Sequence, residues 1–112
     1  MASPSYYTVI VQYPANAKFD IDYYTGTHMP LVAAEFKQFG FKGYSVTTNL
    51  TTPDANTLSP TSVLAVLFFD NAEGFTNALK ATGEKVLDDI SNFSDKNPTF
   101  IGGTTIASTV SL

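Results

Sequence analysis

Cysteine and arginine are both absent from this chain of 112 residues, and histidine occurs once, as His28. Without cysteine there is no disulfide framework, no thiolate nucleophile and no zinc site built on cysteines. Without arginine there is no bidentate grip on phosphates or carboxylates. His28 is therefore the one side chain whose ordinary pKa lies near neutral pH, and any proton chemistry is predicted to start from it.

Positive charge is scarce and dispersed, with six lysines and a net charge of -4. Binding to nucleic acid needs a clustered basic surface, so we expect no nucleic-acid partner. No apolar run approaches the ~20 residues that a membrane helix needs, and the chain does not open with the pattern of a signal peptide. We therefore expect a cytoplasmic protein with no membrane contact.

The composition is that of a globular chain, with 44% hydrophobic and 14% charged residues. The length fits one domain over residues 1–112. Alternating and apolar runs predict four strands, and two amphipathic segments predict helices between them. The predicted strands are 6–13, 44–50, 62–69 and 99–110; the predicted helices start near residues 20 and 70, and residues 51–61 are predicted to form an exposed loop.

The first predicted helix contains sequence signals for its start, for an irregularity within it and for its end. Asp20 is a candidate N-cap, and Asp22 is favourably placed in the first turn. Pro30 removes the hydrogen bond that its N–H would donate to the Gly26 carbonyl, which predicts a kink or restart between these residues. Gly40 is the expected C-terminal stop.

The second half of the chain carries three further signals. Asp70 and Glu73 have the spacing of a capping box at the start of the second helix. Gly83 is expected to dent or divide that helix. Gly102 and Gly103 are expected to form a bulge or bend in the last strand.

The element order β-α-β-β-α-β predicts an α+β, ferredoxin-like fold with a four-stranded antiparallel sheet and two helices on one face. The other face would present Ile10 and one parity of the strand 62–69. This face is too apolar for water, so a partner sheet is expected to cover it. We expect a homodimer formed through the sheet faces.

Two motifs in this frame resemble the EthD family of dimeric α/β barrels. Together they run from the end of the first predicted strand to the start of the last. The first motif is the more specific of the two. The matching residues are Tyr13-Pro14, Phe19-Asp20-x-Asp22-Tyr23-Tyr24-x-x-x-His28-Met29-Pro30-Leu31-Val32, Gly83-x-x-Val86-Leu87-x-Asp89-Ile90-x-Asn92-Phe93-Ser94-Asp95 and Pro98.

The resemblance implies a dimeric α/β barrel whose family histidine maps to His28. Relatives in the wider superfamily cyclise, isomerise, decarboxylate or oxygenate small organic molecules. Bacterial relatives are often labelled reductases, but no glycine-rich phosphate turn follows the first strand, so no nucleotide site is indicated.

His28 and Tyr24 are the candidate catalytic residues. A lone helical histidine beside Met29 and Leu31 is, from residue types alone, more often a packed core residue than a catalyst. The resemblance and the kink at Pro30 shift the interpretation towards a general acid or base. Tyr24 lies one turn before His28 on the same helix face, where it could bond the imidazole or a substrate oxygen, or simply fill the core.

Three strand tyrosines are candidate substrate-binding residues: Tyr7, Tyr13 and Tyr44. They share the more apolar parities of their strands and would line a helix–sheet cleft, although packing alone would explain them equally well. Tyr23 is interpreted as an aromatic packing residue.

The carboxylates give a weaker signal. Asp20 and Asp22 are explained as charges at a helix start. Asp88 and Asp89 lie near a helix end, where negative charge is unfavourable, so they indicate a turn or a contact that the sequence does not reveal. No Ser-His-Asp set can be argued from spacing. A metal site would need oxygen ligands around a single histidine, which is a weak ligand set for zinc or iron.

Three functions remain open from the sequence. The first is a cofactor-independent enzyme, of lyase, isomerase or cyclase type, acting on a small, largely apolar, oxygen-bearing compound. The second is a non-catalytic protein that binds a hydrophobic ligand or supports a degradation pathway. The third is a haem-binding barrel with His28 as the axial ligand.

Overall fold

A computed structural model describes residues 6–54, 57 and 59–110 of the chain. The first helical segment changes its winding from α to π and back to α before a short 3₁₀ turn. The elements are β1 (Tyr6–Pro14), α1 (Ile21–Tyr23), a π-helical turn (Tyr24–His28), α2 (Met29–Phe36), a first 3₁₀ turn (Lys37–Phe39), β2 (Phe41–Thr47), β3 (Thr61–Phe69), α3 (Ala72–Asp88), a second 3₁₀ turn (Asp89–Asn92) and β4 (Thr99–Thr105).

The four strands form one antiparallel sheet in the order β2-β3-β1-β4. β1 is central, and its Val9 lies opposite Leu67 of β3 and Gly102 of β4. With a helical segment after β1 and another after β3, this is the ferredoxin-like arrangement. The predicted fold class, a four-stranded antiparallel sheet with helices on one face, is confirmed.

The core lies between the helices and one face of the sheet. Side chains of β1 and β3 alternate, so that one parity is buried beneath the helices and the other is only half-buried on the opposite face. The buried parity meets the apolar faces of α2 and α3. The central members of this core are Val9, Val11, Tyr13, Met29, Val32, Phe36, Ala65, Leu67, Phe69, Ala78 and Val86.

The first helical segment follows its sequence signals. The Asp20 side chain caps α1 by accepting from the Tyr23 N–H at 3.1 Å. The predicted irregularity at Pro30 is a π-helical turn, in which the Met29 N–H donates to the Tyr24 carbonyl five residues earlier. Gly40 ends the segment in the left-handed region with φ of 82°, as expected for a C-terminal stop.

β2 is displaced from its predicted bounds. It begins at Phe41 rather than at Tyr44, because a register shift between Phe41 and Gly43 lets pairing with β3 continue past the glycine. It ends at Thr47, since Asn49 has a positive φ of 58° that turns the backbone out of the extended conformation. The predicted strand over 44–50 therefore overlaps β2 only in part.

The cap and the continuity of α3 also differ from prediction. Asn71, not Asp70, is the N-cap, and its side chain accepts from the Gly74 N–H at 2.9 Å. Asp70 instead forms an ion pair with Lys42 at 3.1 Å. Gly83 does not divide the helix; it is buried inside a continuous α3, with Leu79 in ordinary contact.

β4 is shorter and more regular than expected. It ends at Thr105 rather than near Val110, and its register with β1 is unbroken, so Gly102 and Gly103 form no bulge. Gly102 instead lies beneath the phenol ring of Tyr7, which a Cβ at this position would overlap. The glycine serves a close approach between strands rather than a bend.

Part of the predicted loop over 51–61 can be traced. The Thr52 N–H donates to the Thr57 carbonyl at 2.9 Å, and the Ser59 N–H to the Leu50 carbonyl at 3.2 Å. Residues 55, 56 and 58 of this loop lie outside the described residues. No helix in the described part of the chain combines the length and the apolar character needed to cross a membrane.

Candidate functional site

The π-helical turn places Tyr24 and His28 side by side beneath the first helical segment. Both side chains are buried, with exposed fractions of 1% and 4%. Their rings stack with centroids 5.5 Å apart and planes inclined by 15°. Because π-helical turns are rare and are frequently found at functional sites, this local winding marks the pair as a candidate site.

Aromatic side chains from three parts of the chain enclose the imidazole. The Phe93 ring centroid lies 4.5 Å from that of His28 and 4.9 Å from that of Tyr24. Tyr13 of β1 completes the cluster, 5.6 Å from Tyr24. A β-bridge between Phe19 and Ser94 ties the segment before α1 to the turn that carries Phe93. The ring of His28 is thus fixed from several directions.

A narrow cavity of about 40 Å³ lies between the sheet and the helices beside this cluster. Its volume exceeds the ~10–15 Å³ needed for one water but is well below the ~300–1,000 Å³ of a typical ligand pocket. Its wall is apolar apart from three polar side chains, which are those of Tyr13, Tyr24 and His28. The lining residues are Val11, Tyr13, Tyr24, His28, Met29, Val32, Phe36, Leu67, Phe75, Leu79, Val86, Leu87, Ile90 and Phe100.

Three polar atoms of these side chains have no protein partner. Within the described residues, no group hydrogen-bonds to Nε2 of His28 or to the hydroxyls of Tyr13 and Tyr24. No fully buried side-chain nitrogen or oxygen there is left unsatisfied, so these atoms reach open space. All three residues line the cavity, so it is the space in which a ligand would meet them.

Asp89 lies behind the imidazole, at the start of the second 3₁₀ turn. Its Oδ2 is 2.9 Å from Nδ1 of His28. Its Oδ1 accepts from the Tyr23 hydroxyl at 2.7 Å and from Nδ2 of Asn92 at 2.9 Å. The site therefore contains a histidine–carboxylate pair with two further side chains fixing the carboxylate.

Burial and hydrogen bonding set the charge states. Burial lowers the pKa of His28, and the hydrogen bond and negative charge of Asp89 offset this only in part. Burial raises the pKa of Asp89, but the hydrogen bonds from Asn92, Tyr23 and His28 outweigh it, so the pKa lies below its usual value. At neutral pH the imidazole is uncharged and the carboxylate is ionised.

The two cavity tyrosines remain protonated. Burial raises the pKa of Tyr13 far above its ordinary value, with a smaller contribution from the neighbouring Tyr24 phenol. Burial likewise raises the pKa of Tyr24, with a smaller contribution from Tyr44. Both hydroxyls can therefore donate a hydrogen bond to a ligand oxygen at any physiological pH.

The structure brings together three of the five predicted site residues. His28, Tyr24 and Tyr13 line the cavity. Tyr7 is outside the lining and packs against Phe75, with ring centroids 6.0 Å apart. Tyr44 is also outside it, on the helix-covered face of β2, with an exposed fraction of 39%.

The contact between Asp89 and His28 was not predicted. The pair is separated by 61 positions in the chain, so no spacing rule connects them. The one available signal was the aspartate itself, placed where a helix end disfavours negative charge. Tyr23 was interpreted as a packing residue, yet its hydroxyl bonds the carboxylate.

We also searched the described residues for side chains that could bind a metal ion. No group of three or more histidine, cysteine, aspartate or glutamate side chains in the described residues could hold an ion. The candidate site consists of an imidazole, a carboxylate and phenols beside an apolar cavity.

The sequence profile of the EthD domain matches residues 12–97, which make up most of the chain. The chain belongs to the EthD family. No protein with a curated description matches it closely enough to count as a relative.

Solved structures agree with this assignment. An EthD-like protein from Ralstonia eutropha JMP134 is 28% identical, with a TM-score of 0.80 over 90% of this chain and 91% of that one. An ethyl tert-butyl ether D (EthD) family protein from Bacillus halodurans C-125 is 21% identical, with a TM-score of 0.67 over 88% and 96%. SnoaB of Streptomyces nogalater, described as a cofactor-independent oxygenase, shares the fold at 17% identity, with a TM-score of 0.54 over 96% and 97%.

Proposed function

We propose that this protein is a small-molecule enzyme that acts on a largely apolar, oxygen-bearing compound by general acid–base catalysis. The observation that carries the proposal is the convergence of His28, Tyr24 and Tyr13 on one apolar cavity. A lyase, isomerase or cyclase reaction suits this set, because proton transfer and hydrogen-bond donation are the chemistry that it offers. A positioned acid or base contributes ~10²–10⁴-fold to such a reaction.

The lining also restricts the ligand. Apart from the uncharged imidazole, no lining residue titrates near neutral pH, and none carries a positive charge. An anionic ligand would lose its hydration without gaining an ion pair, which is costly. We therefore expect an uncharged ligand whose oxygen accepts a hydrogen bond from Tyr13 or Tyr24.

Entry of a ligand requires the cavity to widen. Leu87 and Phe100 line it and are 43% and 48% exposed, so they form its rim. Movement of these two side chains would open the cavity without disturbing the buried aromatic cluster. A compound larger than a few waters would extend outwards between them.

Non-catalytic ligand binding is the second candidate function. The narrow, mostly apolar cavity favours it, since capture of a hydrophobic molecule needs no proton transfer. SnoaB shows that a cofactor-independent oxygenase shares the fold, but its 17% identity supports the fold alone. The two functions differ in whether a bound compound loses or gains a proton.

A haem does not fit this site. Its axial ligand would be His28, but the cavity of about 40 Å³ is far below the volume of a pocket that holds a large planar ligand.

We further propose that the protein forms a homodimer through the sheet face opposite the helices. Five apolar side chains lie on that face, and the Ile101 side chain is 58% exposed. Lys42, at the register shift of β2, is the one charged residue in the four strands, and such scarcity of charge is typical of an interface core. The apolar residues are Ile10, Leu64, Val66, Phe68 and Ile101.

Binding can be tested with phenol, toluene and benzoate as probes. The protein has one histidine, so the ring signals of His28 in NMR spectra report directly on the cavity. We expect phenol to shift these signals at lower concentration than toluene, and benzoate to bind weakest. Equal responses to all three would contradict the proposed use of the polar groups.

Catalysis can be tested by deuterium exchange. A panel of small enolisable ketones is incubated with the protein in D₂O, and deuterium uptake at the carbon next to the carbonyl is followed. We expect the wild type to accelerate uptake and His28→Gln to lose the acceleration while keeping its fold and oligomeric state. If both proteins give the same rates, His28 has no part in proton transfer and only the binding function is left.

A further inference from the structure

We infer that Asp89 is a positioning residue that fixes His28 in the tautomer with its proton on Nδ1, so that Nε2 acts as the proton acceptor. The role of this tautomer in catalysis rests on the proposed function, whereas the tautomer itself can be established without it. Asp89 does not line the cavity and acts only through the imidazole.

The chemistry of the carboxylate dictates the tautomer. An ionised carboxylate only accepts hydrogen bonds, so the 2.9 Å contact between Oδ2 and Nδ1 requires Nδ1 to carry a proton. In an uncharged imidazole the other nitrogen then has a free lone pair. The lowered pKa values of both residues agree with this combination of charges.

The carboxylate is held in place from its far side. Oδ1 accepts one hydrogen bond from Tyr23, at the end of α1, and another from Asn92, in the second 3₁₀ turn. These two donors leave Oδ2 for the imidazole and prevent the carboxylate from rotating away. The network therefore connects the two helical segments directly behind His28.

A consistent proton-transfer step follows. Nε2 takes a proton from an acidic C–H or O–H group of the ligand. The electron pair of the broken bond stays on the ligand, which becomes an enolate or an oxyanion. The imidazolium that forms is stabilised by Asp89, and a hydroxyl of Tyr13 or Tyr24 donates to the new negative oxygen. Return of the proton to another atom of the ligand completes an isomerisation and restores the neutral ring.

Long-range ¹⁵N–¹H NMR tests the inference without any ligand. The protein has a single histidine, so one pair of ring nitrogen signals appears and needs no assignment between residues. Above the pKa of His28, we expect Nδ1 to resonate as a protonated nitrogen and Nε2 as an unprotonated one.

The variant Asp89→Asn should reverse this pattern. Its amide oxygen still accepts from Tyr23 and Asn92, so its NH₂ group faces Nδ1, which must now accept, and the proton moves to Nε2. Asp88→Asn is the matched control, because it makes the same change of charge one residue away. The Asp88 side chain is exposed, and the carboxylate that bonds His28 is that of Asp89.

A wild-type ring protonated on Nε2 would overturn the inference, and so would an Asp89→Asn ring that keeps its proton on Nδ1. If Asp89→Asn does not fold, the wild-type measurement alone still decides. A ring with the expected tautomer in a protein that exchanges no ketone proton would count against the proposed function and leave the positioning role intact.

Discussion

At the scale of single residues, His28 is under two opposing influences. Burial disfavours the imidazolium, whereas Asp89 favours it, and the balance falls on the side of burial. A buried neutral histidine beside an ionised carboxylate is ready to accept a proton rather than to give one away. The same balance makes the stability of the protein depend on pH in a way that can be measured.

Stability should fall as the pH drops through the ordinary range of histidine. The pKa of His28 is lower in the folded state than in the unfolded state, so the unfolded chain takes up a proton first. The stabilisation is complete above the unfolded pKa of ~6.5 and is lost as the pH falls from there towards the folded pKa. One proton gives a slope of at most about 1.4 kcal/mol per pH unit.

Urea denaturation between pH 7 and 5.5 measures this dependence. His28→Gln is the control, because it removes the only side chain with an unperturbed pKa in that window. We expect the free energy of unfolding to decline in the wild type and to stay nearly constant in the variant. Parallel curves for the two proteins would show that burial does not depress the pKa of His28.

Loss of the Tyr24 hydroxyl should weaken ligand binding and hardly change the stability of the fold. It has no hydrogen-bond partner among the described residues, so Tyr24→Phe should change the free energy of unfolding by less than about 0.5 kcal/mol. Loss of one hydrogen bond to phenol should weaken binding by roughly 3–10-fold.

Tyr44→Phe is the matched control for this measurement. Tyr44 lies outside the cavity lining and acts on Tyr24 only through a smaller electrostatic contribution, so loss of its hydroxyl should change the affinity for phenol much less than loss of the Tyr24 hydroxyl. A drop in affinity in Tyr44→Phe as large as in Tyr24→Phe would restore the substrate-binding role predicted for Tyr44 from the sequence.

At the scale of elements, the sequence predicts well where the signal is local. Pro30 lacks the N–H that an α-helix needs, and the chain responds with a π-helical turn at the predicted place. The start of β2 was not predictable, because it depends on a register shift against β3 rather than on the residues of β2. Asp89 was missed for a similar reason, since its partner lies 61 positions away.

Substitution of two glycines in α3 by alanine should change the stability of the protein in opposite directions. A Cβ on Gly74 would overlap the backbone carbonyl of Phe39, so Gly74→Ala should destabilise the protein by about 1–3 kcal/mol. A Cβ on Gly83 would make ordinary contact with Leu79, so Gly83→Ala should stabilise it by about 0.5–1 kcal/mol.

Thermal and urea unfolding of the two variants provide the measurement, with each serving as the control for the other. Both substitutions add one methyl group to the same helix, so intrinsic helix propensity cannot explain a difference in sign. Destabilisation by Gly83→Ala would revive the prediction that this glycine interrupts the helix.

At the scale of the whole molecule, the sheet separates the cavity on one face from the apolar patch on the other. Its covered face meets the helices and contributes Val11, Tyr13 and Leu67 to the cavity. Its other face carries the apolar patch assigned to the dimer. The alternation of side chains along β1 and β3 accounts for this division, and the sequence shows it through period-2 patterning alone.

A substitution that breaks the proposed dimer should therefore leave the candidate site intact. Val66 is central on the open face of β3, and Val66→Lys should convert a dimer into a monomer by placing a charge in the interface core. Thr76→Lys adds the same side chain to the exposed surface of α3 and should leave the dimer unchanged. Light scattering coupled to gel filtration measures both masses.

Because the cavity lies between the helices and the covered face of the sheet, on the side away from Val66, the Val66→Lys monomer should keep the ring signals of His28 and its response to phenol. A wild type that is monomeric at micromolar concentration would refute the dimer. A monomeric variant that has lost phenol binding would mean something different, namely that the second copy shapes the cavity across the sheet. The rim residues Leu87 and Phe100 would then be the first place to look for that influence, since they are the lining side chains that remain open to solvent.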